Sequence, residues 1–134
     1  MLDVPHQYII HSFEHQQVVC RLLRKISNLF EAERVYYRWE TLTAIKIDES
    51  ATSAVPDLSL TYDGETKVII EITLFESVDY QKLAKLVNQY DLDEGFTYNY
   101  KTKQWRKYKF QLGEVLENPS FCDSIGYDLN EFLK

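Results

Sequence analysis

Glycine, proline and cysteine are scarce in this chain, with four, three and two residues respectively among 134. No low-complexity tract or internal repeat is visible. There is no Gly-rich phosphate loop, no serine nucleophile elbow and no Cys-x-x-Cys pair. Their absence removes the usual signatures of nucleotide cradles, serine hydrolases and thiol or zinc sites. Cys20 falls on a helical stripe and Cys122 in a polar segment, which is no disulfide framework, so the expected compartment is a reducing cytoplasm. No apolar run is long enough to span a bilayer, and the N-terminus lacks a charged-then-apolar leader pattern, so no membrane association is expected.

Basic charge is also in deficit. Fifteen Lys and Arg against 21 Asp and Glu give a formal charge of -6. That argues against a nonspecific nucleic-acid coat. It leaves room for a nucleic-acid enzyme, because a local basic strip can sit on an acidic body and metal-binding carboxylates themselves add negative charge.

Aromatics are plentiful, with ten Tyr and seven Phe, and 45% of the chain is hydrophobic. This length suits one domain, residues 1–134, with one real core. Residues 13–32 carry apolar side chains at Val19, Leu22, Leu23, Ile26, Leu29 and Phe30, a helical spacing with Ser12 as N-cap. "VYYRWETLTAIKI" (35–47) is β-rich, as two strands or one bent strand. Leu58–Tyr62 and Lys67–Thr73 form a hairpin around Asp63-Gly64. Residues 76–90 place Leu83, Leu86, Val87 and Tyr90 on one helical face. "FTYNY" (96–100) and "QWRKYKF" (104–110) read as strands, and "DLNEFL" near the end as a short helix. The fold class this predicts is α/β or α+β, with a mixed sheet flanked by helices.

Within the hairpin, Leu58, Leu60 and Tyr62 point one way, and Asp57, Ser59 and Thr61 the other. On the second strand Val68, Ile70 and Ile72 oppose Lys67, Ile69, Glu71 and Thr73. Matching apolar faces puts Leu58 opposite Ile70 and Leu60 opposite Val68, and hence Asp57 opposite Glu71. A two-residue Asp-Gly loop would shift this register by one, so a bulge or a three-residue loop is expected. Two carboxylates at cross-strand distance repel unless a proton or a cation lies between them. A hard divalent cation, Mg²⁺ or Mn²⁺, suits such oxygen ligands. The bland alternative has Asp57 opening a turn after Pro56 and Glu71 pairing with Lys67 or a helix lysine.

Pro56-Asp57, a hairpin, then Glu71-Ile72-Thr73 resembles the motif of the PD-(D/E)XK nuclease superfamily, with Thr73 where its lysine stands. Within that superfamily the sequence is similar to the Uma-type putative restriction endonuclease family. The similarity runs through Glu14-His15-Gln16-Gln17-Val18-Val19 to Leu22, Pro56-Asp57, Glu71, a helix bearing lysines, Gly95-Phe96 to Tyr100, and Asp128-Leu129-Asn130-Glu131-Phe132. These pieces fall in order over most of residues 12–133. The family's N-terminal "ELIDGEL"-like hairpin and the Ser-Pro-Ser after the strand acid have no counterpart here. The resemblance implies a restriction-endonuclease-like core and metal-dependent phosphodiester hydrolysis. Asp57, Glu71 and the Ile72 carbonyl would hold the metal, and a helix lysine would act on the nucleophilic water. Spacing from Glu71 favours Lys85 for that role, the first choice; helical face favours Lys82, the second. The expected partner is nucleic acid, DNA before RNA.

"KTKQWRKYKF" places Lys101, Lys103, Arg106, Lys107 and Lys109 among aromatics, a pattern that could track a phosphate backbone. Lysines there could equally guard an edge strand. The second functional reading is an inactive nuclease-fold module acting in protein or self-association, with a homodimer through the "FTYNY" and "QWRKYKF" strands. "HSFEH" spells the inverted zinc-peptidase pattern with His11, Glu14 and His15. A helix beginning at Ser12, and the short chain, argue against it. His15 is expected to pack or cap near the site.

Overall fold

The computed structural model describes residues 12–134. His11, and with it the pattern it shares with Glu14 and His15, lies outside them. Helix α1 (Phe13–Ala32) opens where Ser12 accepts a hydrogen bond from the His15 N–H. This satisfies one of the free donors of the first turn. Its buried stripe is His15, Val19, Leu22, Ile26 and Phe30. After it come a 3₁₀ turn (Arg34–Tyr36), β1 (Trp39–Thr43), β2 (Leu58–Tyr62), β3 (Glu65–Thr73), α2 (Glu76–Gln89), β4 (Glu94–Asn99), β5 (Gln104–Lys109) and β6 (Gly113–Val115). A short pair, β7 (Phe121–Cys122) and β8 (Tyr127–Asp128), and a 3₁₀ turn (Leu129–Leu133) close the chain.

The six longer strands form one mixed sheet in the order β1-β2-β3-β4-β5-β6. Only β3 and β4 run parallel, joined through α2; the other neighbours are antiparallel. Leu58 faces Ile70 and Leu60 faces Val68, as the apolar faces require, and the register shifts between Leu60 and Thr61. Asp63 (φ 51°) and Gly64 (φ 82°) are both left-handed, the signature of a tight two-residue turn. Both features of the sequence are therefore honoured: the Asp-Gly turn stays tight, and a bulge restores the faces.

The sheet is covered on both sides. Leu58, Leu60, Val68, Ile70, Ile72, Phe96, Tyr98 and Trp105 pack under α1, with Cys122, Ile125, Leu129 and Phe132 of the closing segment completing that core. On the opposite face Ile69 meets Tyr80, Leu83 and Val87 of α2, together with Leu92. Gly95 lies on this second face, where an added Cβ would stand 2.8 Å from Val87 Cγ2 and 3.0 Å from Leu83 Cγ. The missing side chain lets α2 rest directly on β4. Gly95→Ala is expected to force the helix outward and to cost about 1–3 kcal/mol, read as a lower urea midpoint.

Three expectations are corrected. Residues 35–47 hold neither two strands nor one bent strand: β1 covers Trp39–Thr43 alone and ends where Ala44 turns left-handed (φ 51°). "FTYNY" is not a surface strand, since every residue of β4 is buried between β3 and β5. "QWRKYKF" is not an open edge along Lys107–Lys109, where β6 pairs with β5. The burial of β4 removes "FTYNY" as an exposed surface for self-association. None of the described helices is long and apolar enough to cross a membrane.

Candidate metal and active site

Asp57 directly precedes β2, and Glu71 lies near the carboxyl end of β3. The two acids are interlocked through each other's strand. The Asp57 N–H donates to Glu71 Oε1 at 2.6 Å, and the Ile72 N–H donates to Asp57 Oδ2 at 2.9 Å. Each acid thus fills a ladder position that β2 has left open. In an extended strand the N–H and C=O of one residue face the same neighbour, so the Ile72 carbonyl also points toward Asp57.

Both helices contribute from opposite sides of the sheet. From α1, His15 Nε2 stands 3.2 Å from Asp57 Oδ2, and the imidazole is buried. Its ring meets Tyr100 edge-on, with centroids 6.2 Å apart. On the α2 side, Asp79 accepts a hydrogen bond from the Thr73 hydroxyl. Thr73, in the position of the motif lysine, is therefore committed to holding the first turn of α2. Glu71 is half-buried as a residue, but its carboxyl group is hemmed in. Burial, and then the Asp57 charge, push its pKa up to about 8; Asp79 adds to this, while the Asp57 N–H and Lys82 oppose it.

Of the two lysines of α2, one bears on that balance. The Lys82 charge favours the ionised form of Glu71. Lys82 and Lys85 are both exposed. Lys67, the partner considered for Glu71, pairs instead with Glu65 at 3.0 Å. Thr97 is level with Glu71 on β4, and its hydroxyl is buried without a hydrogen-bond partner among the described residues, as is that of Ser59 on the same face. The surroundings of Glu71 are polar, not apolar.

The five cations of the 101–109 segment do not form one surface. Lys101 pairs with Glu14, and Lys103 is exposed in the β4–β5 turn. Arg106 lies on the α2 face, where it caps the Tyr80 ring at 3.8 Å and makes a two-pronged bond to Glu114. Lys107 and Lys109 face the other way, onto Asp123. Lys107 is 2% exposed, with Glu94 at 3.2 Å and the Phe121 carbonyl at 2.6 Å. Strand alternation explains the split, since neighbouring residues of β5 point to opposite faces.

Sequence reasoning did not find Asp79, Tyr100 or the role of Thr73. Asp79 had one visible signal, its place one turn ahead of Lys82 on α2. Nothing local tied Tyr100 to His15, which is 85 positions away in the chain.

Glu71 lies near the carboxyl end of β3, one of the two parallel strands, and Asp57 at the adjoining start of antiparallel β2; the carboxyl ends of parallel strands are where ligands of open α/β sheets bind. The chain shares this nuclease-like fold with a protein described as a putative nuclease belonging to DUF820 from Anabaena variabilis ATCC 29413. The TM-score is 0.63 at 13% sequence identity, over 92% of this chain and 82% of that one. No protein-family model and no curated protein sequence matches the chain.

Proposed function

We propose that this protein is a divalent-metal-dependent endonuclease that hydrolyses phosphodiester bonds in nucleic acid, DNA in preference to RNA. The observation that carries the reading is the interlocked Asp57–Glu71 pair, with the Glu71 pKa pushed up to about 8. Two carboxyls held so that their negative charges conflict form a site that a cation would relieve. The donors fit such an ion. Both acids offer hard oxygens, and one oxygen of each, Asp57 Oδ1 and Glu71 Oε2, takes no hydrogen bond among the described residues. Mg²⁺ or Mn²⁺ would be held by Asp57, Glu71 and the Ile72 carbonyl. When bound, the cation supplies Lewis acidity toward water and the phosphate oxygens. His15 fixes the orientation of Asp57. Lys82 offers a point charge for the phosphate as its negative charge builds, and it takes precedence over Lys85 because it acts on Glu71.

Incubation with plasmid and with single-stranded oligonucleotides in Mg²⁺ or Mn²⁺ tests the reading. Cleavage is expected to fall by on the order of 100-fold or more in Asp57→Ala and Glu71→Ala. Lys82→Ala should reduce it, and Lys85→Ala should leave it unchanged. The second reading, an inactive module in protein or self-association, draws on Thr73, whose hydroxyl is spent on Asp79 in the motif-lysine position. It also draws on the exposed Leu74, Phe75 and Val78 beside the site. Absence of any metal-dependent cleavage, with a dimer in sedimentation, would favour that reading.

A further inference from the structure

Beside Tyr100, the ring that meets His15, lies a cavity with no part in the chemistry proposed for Asp57 and Glu71. It holds about 380 Å³ and is bordered by Glu14, Gln17, Arg21, Tyr98, Tyr100 and Lys103, among others. That is within the range of small-ligand sites, roughly 300–1,000 Å³. Three cations border it: Lys134, which pairs with Glu131, and two from different elements, Arg21 from α1 and Lys103 from the β4–β5 turn. Arg21 and Lys103 are exposed, and neither makes an ion pair among the described residues. Glu14 is the one acid among the bordering residues just named, and its charge is met by Lys101. On a chain of net charge -6 this is a local excess of positive charge.

The cavity is tied to Asp57 by a run of contacts. Tyr100 borders it, accepts a hydrogen bond from the Ser12 hydroxyl and lies edge-on to His15, whose Nε2 is 3.2 Å from Asp57 Oδ2. The contacts lead from the cavity through Tyr100 and His15 to Asp57. A guanidinium offers a two-pronged donor set that matches phosphate oxygens. Aromatic rings beside cations suit successive nucleotides of a single strand.

We infer that this cavity is a strand-holding subsite in which Arg21 and Lys103 grip the sugar–phosphate backbone next to the bond that is cut, in single-stranded or locally unpaired nucleic acid. The inference rests on the nuclease reading for the bond that is cut, but not for the binding itself. Lys103 holds a left-handed backbone (φ 61°), so its test substitution should tolerate that conformation, as asparagine does.

The experiment is fluorescence anisotropy of a short fluorescein-labelled single-stranded oligonucleotide, in EDTA so that no cleavage intervenes. Arg21→Glu and Lys103→Asn are each expected to weaken binding about tenfold, and each to lower the slope of log affinity against log salt by about 0.7. Arg24→Glu makes the same charge change one turn further along α1, away from the cavity, and should bind within about twofold of the parent protein. No binding by the parent protein would overturn the inference, as would unchanged binding in the two cavity variants. So would equal loss in Arg24→Glu, or equal affinity for a polyglutamate peptide. A metal-dependent cleavage assay on the same proteins separates the two readings. Binding through Arg21 and Lys103 without cleavage keeps the subsite and removes the nuclease. Cleavage at full rate in both cavity variants removes the subsite and keeps the nuclease.

Discussion

Glu71→Gln is expected to raise the stability of the metal-free protein at alkaline pH while abolishing uptake of a divalent cation. The two effects have one cause. The Glu71 carboxyl is raised from an ordinary 4.5 to about 8 by burial and by Asp57. A carboxyl whose folded-state pKa lies above its unfolded value favours the fold while protonated. That contribution is complete below about pH 4.5 and is lost as the pH rises through about 8. The metal-free protein should therefore lose stability between about pH 5 and pH 8.5, and glutamine should remove that component. The amide oxygen still accepts the Asp57 N–H, so the strand ends stay locked. The expected gain at about pH 8.5 is about 2–4 kcal/mol in urea unfolding. The same substitution takes away one of two charged metal ligands, so the parent protein should gain stability from millimolar Mn²⁺ and the variant should not. If Glu71→Gln is less stable than the parent at alkaline pH, Glu71 is a structural partner and not a strained ligand.

Lys107→Met is expected to be the most destabilising of the changes at the cationic positions in 101–109. The Lys107 ammonium is enclosed by Glu94, Asp123 and the Phe121 carbonyl. Glu94 is fully buried and accepts further bonds from the Ser124 N–H and hydroxyl and from the Asp123 N–H. Lys107 and Lys109 in turn hold the Asp123 carboxyl below its usual range. Burial, with Glu94 beside it, lifts the Cys122 thiol well above its ordinary pKa, so this cysteine is inert packing. Together these groups pin the closing segment to β4 and β5. Removing one partner of a buried pair strands the other, at a cost of about 3–5 kcal/mol. The double variant Glu94→Gln with Lys107→Met should recover much of that loss, because no uncompensated charge remains. Unchanged stability with weakened oligonucleotide binding would instead place Lys107 on the nucleic-acid surface.

The parts of this fold that were legible in sequence are those with periodicity or turn chemistry. Ser12 before the Val19–Leu22–Ile26 stripe located α1, and the alternation through Leu58–Leu60 and Val68–Ile70 set the hairpin register and required its bulge. The same alternation brought Asp57 to Glu71. Strands of two or three residues such as β6, β7 and β8 carry too few positions to show a period. The burial of Lys107 was hidden because its partner Glu94 starts a different strand and Asp123 sits in a turn between β7 and β8. His15 and Asp57 meet across 42 positions of chain, a contact that the helix packing makes and no local pattern shows.

Calorimetric titration of Mn²⁺ into the protein at about pH 7, repeated in two buffers of different ionisation enthalpy, tests the central claim most directly. At that pH the raised Glu71 carboxyl is largely protonated, so the account predicts one ion per chain and release of close to one proton on binding. It predicts no such binding in Asp57→Ala. Uptake that releases no proton, or uptake that Asp57→Ala leaves intact, would contradict the claim that these two acids form one cation site.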